Sequence, residues 1–387
     1  MHDPQRLPEE ASPLTSREKV WRDRYCMLES HGYRLRPRFS PDWTPSWIGT
    51  NKLPAMHEDY YHNDSSVTID AVRILDGRRV FLKRVVTRGR EFSILRYLSD
   101  EEKLRDPHNH TVPLLDAFLD DENEKYTFIV LPLLHPYFHP DFFSVDEVLD
   151  FMRQLLEGLV YMHKLNIAHR DCSELNIMMD ADKMFPRGFH PTISVAEASP
   201  RIRLAKPRRR RDVSYVRYYY IDFGISVKFD HDDDDKRVFG VIGQDDEVPE
   251  LSQTEPYDPF FVDVFILGNL FKKTFLERYD NLDFLKPLIN EMTAPDWLDR
   301  SDSIYALKAF NRIVSNQSRC TLRWRLKEKS SSRATRFLQD VDSASHETAL
   351  IVKDSICELR SRFASVFRML DHSPFSSRNR SQRRTIP

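Results

Sequence analysis

The sequence predicts an α+β fold, β-rich in its first part and mainly helical in its second, with a length that suits two or three domains or one two-lobed domain with extensions equally well. Three observations predict it. Two β-rich runs, Val67 to Ile74 and Arg79 to Val85, flank Asp76-Gly77, which is the pattern of a hairpin. From Ser144 to Lys164 apolar residues recur at helical spacing (Val148, Phe151, Leu155, Leu159, Met162). Beyond Asp258 the chain reads as mostly helical to about residue 327.

The bulk numbers are ordinary for a globular chain. Of 387 residues, 40% are hydrophobic and 30% charged, enough for a sizeable core. A net charge of −2 gives no overall argument for nucleic acid or a membrane surface. Cys26, Cys172, Cys320 and Cys357 show no metal-ligand spacing and read as reduced thiols. The first residues lack a basic-then-apolar targeting pattern, and the most apolar stretch, Pro259 to Phe271, is too short to span a bilayer. The expectation is a soluble intracellular protein, cytoplasmic or nuclear. Only ten residues are glycine, a scarcity that bears on the site below.

Taken in order, residues 1–59 form an N-terminal extension, frayed to about 14 and helical over 15–31, where Val20, Trp21, Tyr25 and Leu28 share a face. Residues 33–66 are rich in Pro, Trp and Tyr and show no period. A main domain is expected over 60–327. Within it, 88–99 reads as a short helix and Tyr126 to Leu134 as a buried strand, while Ser144-Val145-Asp146-Glu147 resembles a helix cap. Residues 181–214 form a long aperiodic insert carrying Lys206-Pro207-Arg208-Arg209-Arg210-Arg211. Residues 328–345 read as a Ser-rich linker. An amphipathic helix is expected over 346–371, and a basic tail over 372–387.

One ordered set of residues carries chemistry. Moving a phosphoryl group requires a cation for the nucleotide phosphates, oxygen ligands for Mg²⁺ and a carboxylate facing the acceptor hydroxyl. The chain offers Lys83 closing Val80-Phe81-Leu82-Lys83 on a strand, and Glu91 opening a helix. His169-Arg170-Asp171 follows, with Asn176 five positions past the Asp, then Asp222-Phe223-Gly224 after a strand-like run. Val248-Pro249-Glu250 and the helix opened by Asp263 complete the series.

Over residues 60–315 this series resembles the eukaryotic protein-kinase family, and in particular a divergent fungal kinase-like group with an insert before Asp-Phe-Gly. The resemblance implies a two-lobed protein-kinase-like fold, a small β-rich lobe followed by a mainly helical one, and an ATP- and Mg²⁺-dependent protein kinase, acting on serine or threonine. It implies Asp171 as catalytic base, Asn176 and Asp222 as metal ligands, and Lys83 as phosphate-holding lysine with Glu91 as its partner. Leu131 falls at the adenine pocket, with Pro132, Leu133 and Leu134 as its hinge. Arg170 matches the arginine that pairs with a loop phosphate. Glu250 and Arg300 match a structural ion pair, and Asp263 matches the brace of the catalytic loop.

Several departures accompany the likeness. No Gly-x-Gly-x-x-Gly exists, so something else must cover the phosphates. Ser173 stands where serine/threonine kinases place a lysine. Lys83 and Glu91 are only eight positions apart, which leaves open whether they pair, and Asn176 to Asp222 spans 46. Between Gly224 and Glu250 the only hydroxyl is Ser226, whereas residues 230–235 carry five aspartates. One of these is expected to pair with Arg170 in place of a phosphate. The arginines 208–211 are candidates for an acidic partner, phosphate, nucleic acid or nuclear import, and 349–370 for homodimerisation or for docking on the helical lobe. Two rival readings remain: a pseudokinase that binds or scaffolds with little turnover, and a small-molecule kinase, against which Val248-Pro249-Glu250 and the Asp263 helix argue.

Overall fold

The computed structural model describes residues 14–344 except 333, 337 and 342. The expected helix over 346–371, the basic tail and the homodimer surface over 349–370 lie outside the described residues.

Helices α1 (Ser16–Asp23) and α2 (Tyr25–Ser30) come first, then strand β1 (Tyr33–Arg34). After a long connection follow β2 (Thr68–Arg73) and β3 (Arg79–Val86), then helices α3 (Arg90–Leu98) and α4 (Glu101–Arg105), then β4 (Asp116–Leu119) and β5 (Tyr126–Pro132). These strands make one five-stranded antiparallel sheet in the order β1-β2-β3-β5-β4. The Asp76-Gly77 turn has the left-handed Gly77 (φ 70°) that such a corner requires.

Strand period divides the sheet into two faces. Ile69, Ala71, Val80, Leu82, Phe128 and Val130 turn outward onto Trp21, Leu28, Tyr33 and Phe39, forming a second core. The residues read as an N-terminal extension thus cap the sheet. One ion pair fastens that cap: Glu18 and Arg38 are both 0% exposed and meet at 2.7 Å. Intervening residues Thr68, Phe81, Lys83 and Leu131 face the other way, into a cleft.

Beyond the sheet, the short strand β6 (His135–Pro136) precedes helix α5 (Val145–Lys164). Its cap differs from the expected one. Ser144 bonds to Asp146, and the Glu147 carboxylate instead accepts from the Phe143 N–H at 2.7 Å. Next come β7 (Ile167–Ala168), β8 (Ile177–Asp180), β9 (Arg217–Tyr220), β10 (Val227–Lys228), β11 (Val238–Gly240) and β12 (Ser252–Tyr257). Helices α6 (Pro259–Phe271), α7 (Lys286–Met292), α8 (Ser303–Ser315) and α9 (Arg319–Arg323) follow. Together these give a mixed α+β architecture. Gly158 lets α5 lie against β9, because a Cβ there would meet His110 Cβ at 2.7 Å and the Tyr220 ring at 3.0 Å.

The insert departs most from expectation. It leaves β8 and returns through β9, which pair in register (Met178↔Tyr219, Met179↔Tyr218). Rather than a solvated basic loop, it buries Met184, Phe185, Phe189 and Ala196. Its arginines serve the fold. Arg210 is 6% exposed and donates to the carbonyls of Pro140 (2.7 Å) and Asp141 (3.1 Å) and to the Tyr218 hydroxyl (3.1 Å). Arg211 reaches Asp146 at 3.3 Å, and Arg209 lies over the Phe143 ring. Arg210 of the run proposed for an acidic partner is thus engaged by buried carbonyls, while Arg208 stays exposed. Among the described residues, 334–336, 338–341 and 343–344 of the Ser-rich segment are helical, and Asp340 holds Arg325 at 2.7 Å. No helix of the described residues is long and apolar enough to cross a membrane.

The buried Glu18–Arg38 pair makes stability depend on acid. Burial raises the Glu18 carboxyl, but hydrogen bonds from Arg38 and the Thr15 N–H outweigh it and bring the pKa down to about 2. A depressed carboxylate stabilises above its unfolded pKa and loses that stability as pH falls through the folded value. Glu18 therefore contributes about 3 kcal/mol near neutrality, lost between about pH 4.5 and 2. In urea titrations, Glu18→Gln is expected to be less stable than wild type at neutral pH, with the gap narrowing steadily as the pH falls through that window.

Candidate active site

The site forms where the sheet's inner face meets the loops that follow α5. Its base is the turn between β7 and β8, and a single side chain organises it. Asp263, fully buried on α6, accepts the backbone N–H of His169 at 2.8 Å and of Arg170 at 2.6 Å, and His163 donates to it at 3.0 Å. This clamp holds Arg170 at φ 69°, a left-handed conformation that side chains with a Cβ resist by roughly 1–2 kcal/mol. Buried His169 donates through Nε2 to the Ile221 carbonyl (3.0 Å) while its Nδ1 accepts from the Asp171 N–H (3.3 Å), which selects the Nε2–H tautomer. Burial, the largest influence, lowers the His169 pKa and keeps the ring neutral.

Lys83 joins the sheet to this base. Its ammonium donates to Glu91 Oε1 at 2.6 Å and to Asp222 Oδ1 at 2.8 Å. The pair that the short spacing left open is made, because α3 begins at Arg90 and sets Glu91 in its first turn. Burial opposes the charge on Lys83, yet the two carboxylates outweigh it and raise its pKa. Burial also raises Glu91, against the pull of Lys83. Asp222 is depressed: burial pushes it up, but Lys83 and the Gly224 N–H overcome that. Asp222 also has positive φ (59°), which turns its carboxylate back onto its own Gly224 N–H at 3.1 Å.

Asp171 is heavily engaged. Its Oδ1 accepts from Ser173 Oγ and from the Gln244 backbone N–H, both at 3.0 Å. Its Oδ2 accepts from Asn176 Nδ2 at 2.7 Å and from Gln244 Nε2 at 3.3 Å. Gln244 carried no signal in the sequence; the chain returns it to Asp171 across 73 positions.

A cavity of about 410 Å³ opens between these groups and is lined by Lys83, Glu91, Asn176 and Asp222 at one end and by Leu131, Leu133 and Leu134 at the other. Its mostly apolar wall with a few convergent polar groups suits a small ligand. Asp171 does not line this cavity; it lies next to it through Asn176. Phe189, His190, Pro191, Thr192 and Ser194 of the insert also line it, which nothing in their composition announced.

Arg170 departs from expectation. It donates to the carbonyls of Ile225 (3.1 Å) and Phe239 (3.1 Å) and to the Tyr257 hydroxyl (3.2 Å), and to none of the aspartates 230–235. The physical reason is that β11 pairs with β12 and brings carbonyls to the guanidinium, while Asp235 is taken by Arg237 at 2.6 Å. Gly240 at φ 123° permits this path beside Arg170. Farther out, Arg300 meets Glu250 at 2.7 Å.

No protein-family model matches the chain. It is similar to the probable serine/threonine-protein kinase fhkE of Dictyostelium discoideum, 28% identical over 141 residues, which covers 32% of this chain and 18% of that protein. It is similar to cyclin-dependent kinase 12 of Caenorhabditis elegans, 29% identical over 165 residues, 36% of this chain and 22% of that one. Mitogen-activated protein kinase 4 of Mus musculus is 26% identical over 171 residues, 41% of this chain and 27% of that one. The matches thus span about a fifth to a quarter of the length of these relatives. They support a likeness to serine/threonine protein kinases.

Arg170's partners predict how the segment after Gly224 is held. Replacing Asp232 to Asp235 by Asn is expected to leave the segment's resistance to limited proteolysis unchanged. Tyr257→Phe removes the hydroxyl that donates to the Gly240 carbonyl at 2.7 Å and accepts from Arg170. It is expected to loosen the segment by about 1 kcal/mol, a severalfold faster cleavage.

Proposed function

We propose that this chain is an ATP-dependent protein kinase that transfers the γ-phosphoryl group to a serine or threonine hydroxyl of a protein. The observation that carries the reading is Lys83 held between Glu91 and Asp222 at the polar end of a cavity whose other end is Leu131 to Leu134. In this reading the sheet and the helical part are the two lobes of a protein-kinase-like domain over 60–327, and Pro132 to Leu134 joins them. The insert before Asp222 aligns it with the divergent fungal kinase-like group. An intracellular setting, cytoplasmic or nuclear, follows from the same reading.

The donor set fits Mg²⁺. The Asn176 amide nitrogen is committed to Asp171, so its oxygen is the free donor, and half-exposed Asp222 supplies a carboxylate. Among the described residues no cluster of three or more His, Cys, Asp or Glu forms a metal cage. Two hard oxygen donors plus phosphate and water oxygens are how proteins ordinarily hold this ion. When bound, Mg²⁺ supplies charge neutralisation at the phosphates.

The chain's own residues do the rest. Leu131, Leu133 and Leu134 enclose the adenine, and Lys83 holds the phosphates while Glu91 fixes its direction. The acceptor oxygen bonds to the γ-phosphorus as the bond from that phosphorus to the β,γ-bridging oxygen breaks, and ADP leaves. Asp171 accepts the hydroxyl proton. To do so it must free a lone pair, and the longest of its contacts, Gln244 Nε2 at 3.3 Å, is the one to yield. Ser173 brings a hydroxyl but no charge, so transfer is expected to be slow; one lost electrostatic contact costs roughly 10²–10³ in rate.

That full occupancy of Asp171 also favours a second reading, a pseudokinase that binds nucleotide without turnover. A radiolabelled transfer assay with Mg²⁺ and a generic protein acceptor, alongside ATP-binding titrations, separates them. The kinase reading expects binding lost in Lys83→Met, and transfer lost at least about a hundredfold in Asp171→Asn with binding kept. Binding with no Asp171-dependent transfer establishes the pseudokinase; no nucleotide binding overturns both.

A further inference from the structure

Nothing glycine-rich covers the cleft, and β1 and β2, which would flank such a loop, are joined by residues 35–67 instead. That connection contributes no residue to the cavity lining. It docks on the insert. The Glu58 N–H donates to the Pro200 carbonyl (3.1 Å), the Ile202 N–H donates to the Met56 carbonyl (3.1 Å), and His57 bridges Arg201 as an isolated antiparallel pair. From the sheet, Arg79 donates to the Phe189 carbonyl and lies over its ring at 4.9 Å. At the far side, the His135 ring places Nε2 3.0 Å from the Ser194 carbonyl and stacks on Phe185 at 4.6 Å. The two excursions therefore pack on each other, and of the two it is the insert, through 189–192 and 194, that lines the cavity.

His190 is the pin of this packing. It is 1% exposed and lines the cavity. Its Nδ1 accepts the backbone N–H of Thr192 (3.1 Å) and of Ile193 (3.0 Å), which forms the turn that presents Pro191 and Thr192 to the cavity. Because Nδ1 accepts, the ring proton sits on Nε2, which faces the Glu58 carboxylate 3.5 Å away. Glu58 is itself fixed by Arg36 at 2.9 Å, and Arg36 by Asp70 of β2 at 3.0 Å. One imidazole thus shapes the insert's turn and ties it, through Glu58 and Arg36, to the sheet that carries Lys83.

We propose that the insert's turn 188–194, locked by His190, is the nucleotide-covering wall of this cleft, standing in for a glycine-rich loop and setting how long a nucleoside di- or triphosphate is retained. The proposal rests on the reading of the cleft as a nucleotide site. His190 is a positioning residue here: it acts through the turn and needs no contact with the phosphates. The insert and the connection form a cover whose opening requires the His190–Glu58 contact to part.

The test is the release rate of radiolabelled MgADP from the full chain, measured by chase, with thermal midpoints alongside. His190→Phe keeps the ring's bulk but loses both polar edges, and Glu58→Gln leaves the turn's two Nδ1 bonds intact while weakening the outer contact and the Arg36 pair behind it. Both are expected to speed release, His190→Phe by roughly tenfold or more and Glu58→Gln by less. His190→Asn, whose side-chain oxygen can take the two backbone N–H bonds, is expected to release ADP more slowly than His190→Phe at equal or lower thermal stability. A merely structural histidine would instead make release follow the thermal midpoint across the three variants, which overturns the proposal. Wild type that binds MgADP, with variants releasing it within about twofold of the wild-type rate, also overturns it while leaving the nucleotide reading intact. Wild type that binds no MgADP overturns the nucleotide reading, and the wall with it.

Discussion

The arrangement depends first on one ammonium shared by two carboxylates. Lys83 belongs to the sheet, Glu91 to the helix behind it, and Asp222 to the loop beyond β9. All three elements are tied at a single half-buried point. Exposed ion pairs contribute little, because water screens them and side-chain entropy opposes them. Here Lys83 and Glu91 are 16% and 14% exposed, so the pair keeps direction and strength. The same contact that sets the elements relative to one another also leaves a cation facing an open cavity.

A second constraint acts from beneath. Asp263 converts two backbone N–H groups into fixed points, and through them the loop takes a left-handed residue at Arg170. A carboxylate that accepts several N–H bonds in a dry site is strong and directional. Everything downstream inherits that placement: His169 reaches the Ile221 carbonyl, Asp171 reaches Asn176, and Arg170 gathers the carbonyls of the returning segment. The segment is thus held by neutral acceptors. Aspartates at 230–235 were the natural electrostatic choice from sequence, but strand pairing between β11 and β12 decided which groups arrive.

The long excursions show the same lesson from the other side. Residues 33–66 and 181–214 have no period, and aperiodic stretches ordinarily read as solvated loops. In the fold they bury aromatic side chains and arginines against each other and against the cleft. Arg210, one of a basic run, ends up satisfying main-chain carbonyls. A run of like charge does not say which member will be desolvated; that is set by where the β8–β9 hairpin leaves its loop.

What the sequence determined by itself was the α+β class, the hairpin at Asp76-Gly77, the long helix of 145–164 and the order of Lys83, Glu91, Asp171, Asn176 and Asp222. These were legible because period, turn chemistry and local spacing are carried by neighbouring residues. Tertiary structure alone decided that Lys83 meets Glu91 across eight positions, that Gln244 reaches Asp171, that Arg170 holds carbonyls, and that His190 of the insert lines the cleft. Each is a contact between segments far apart in the chain or set by the angle of a short helix. Such contacts depend on how elements pack, and no local pattern of residue types encodes that geometry.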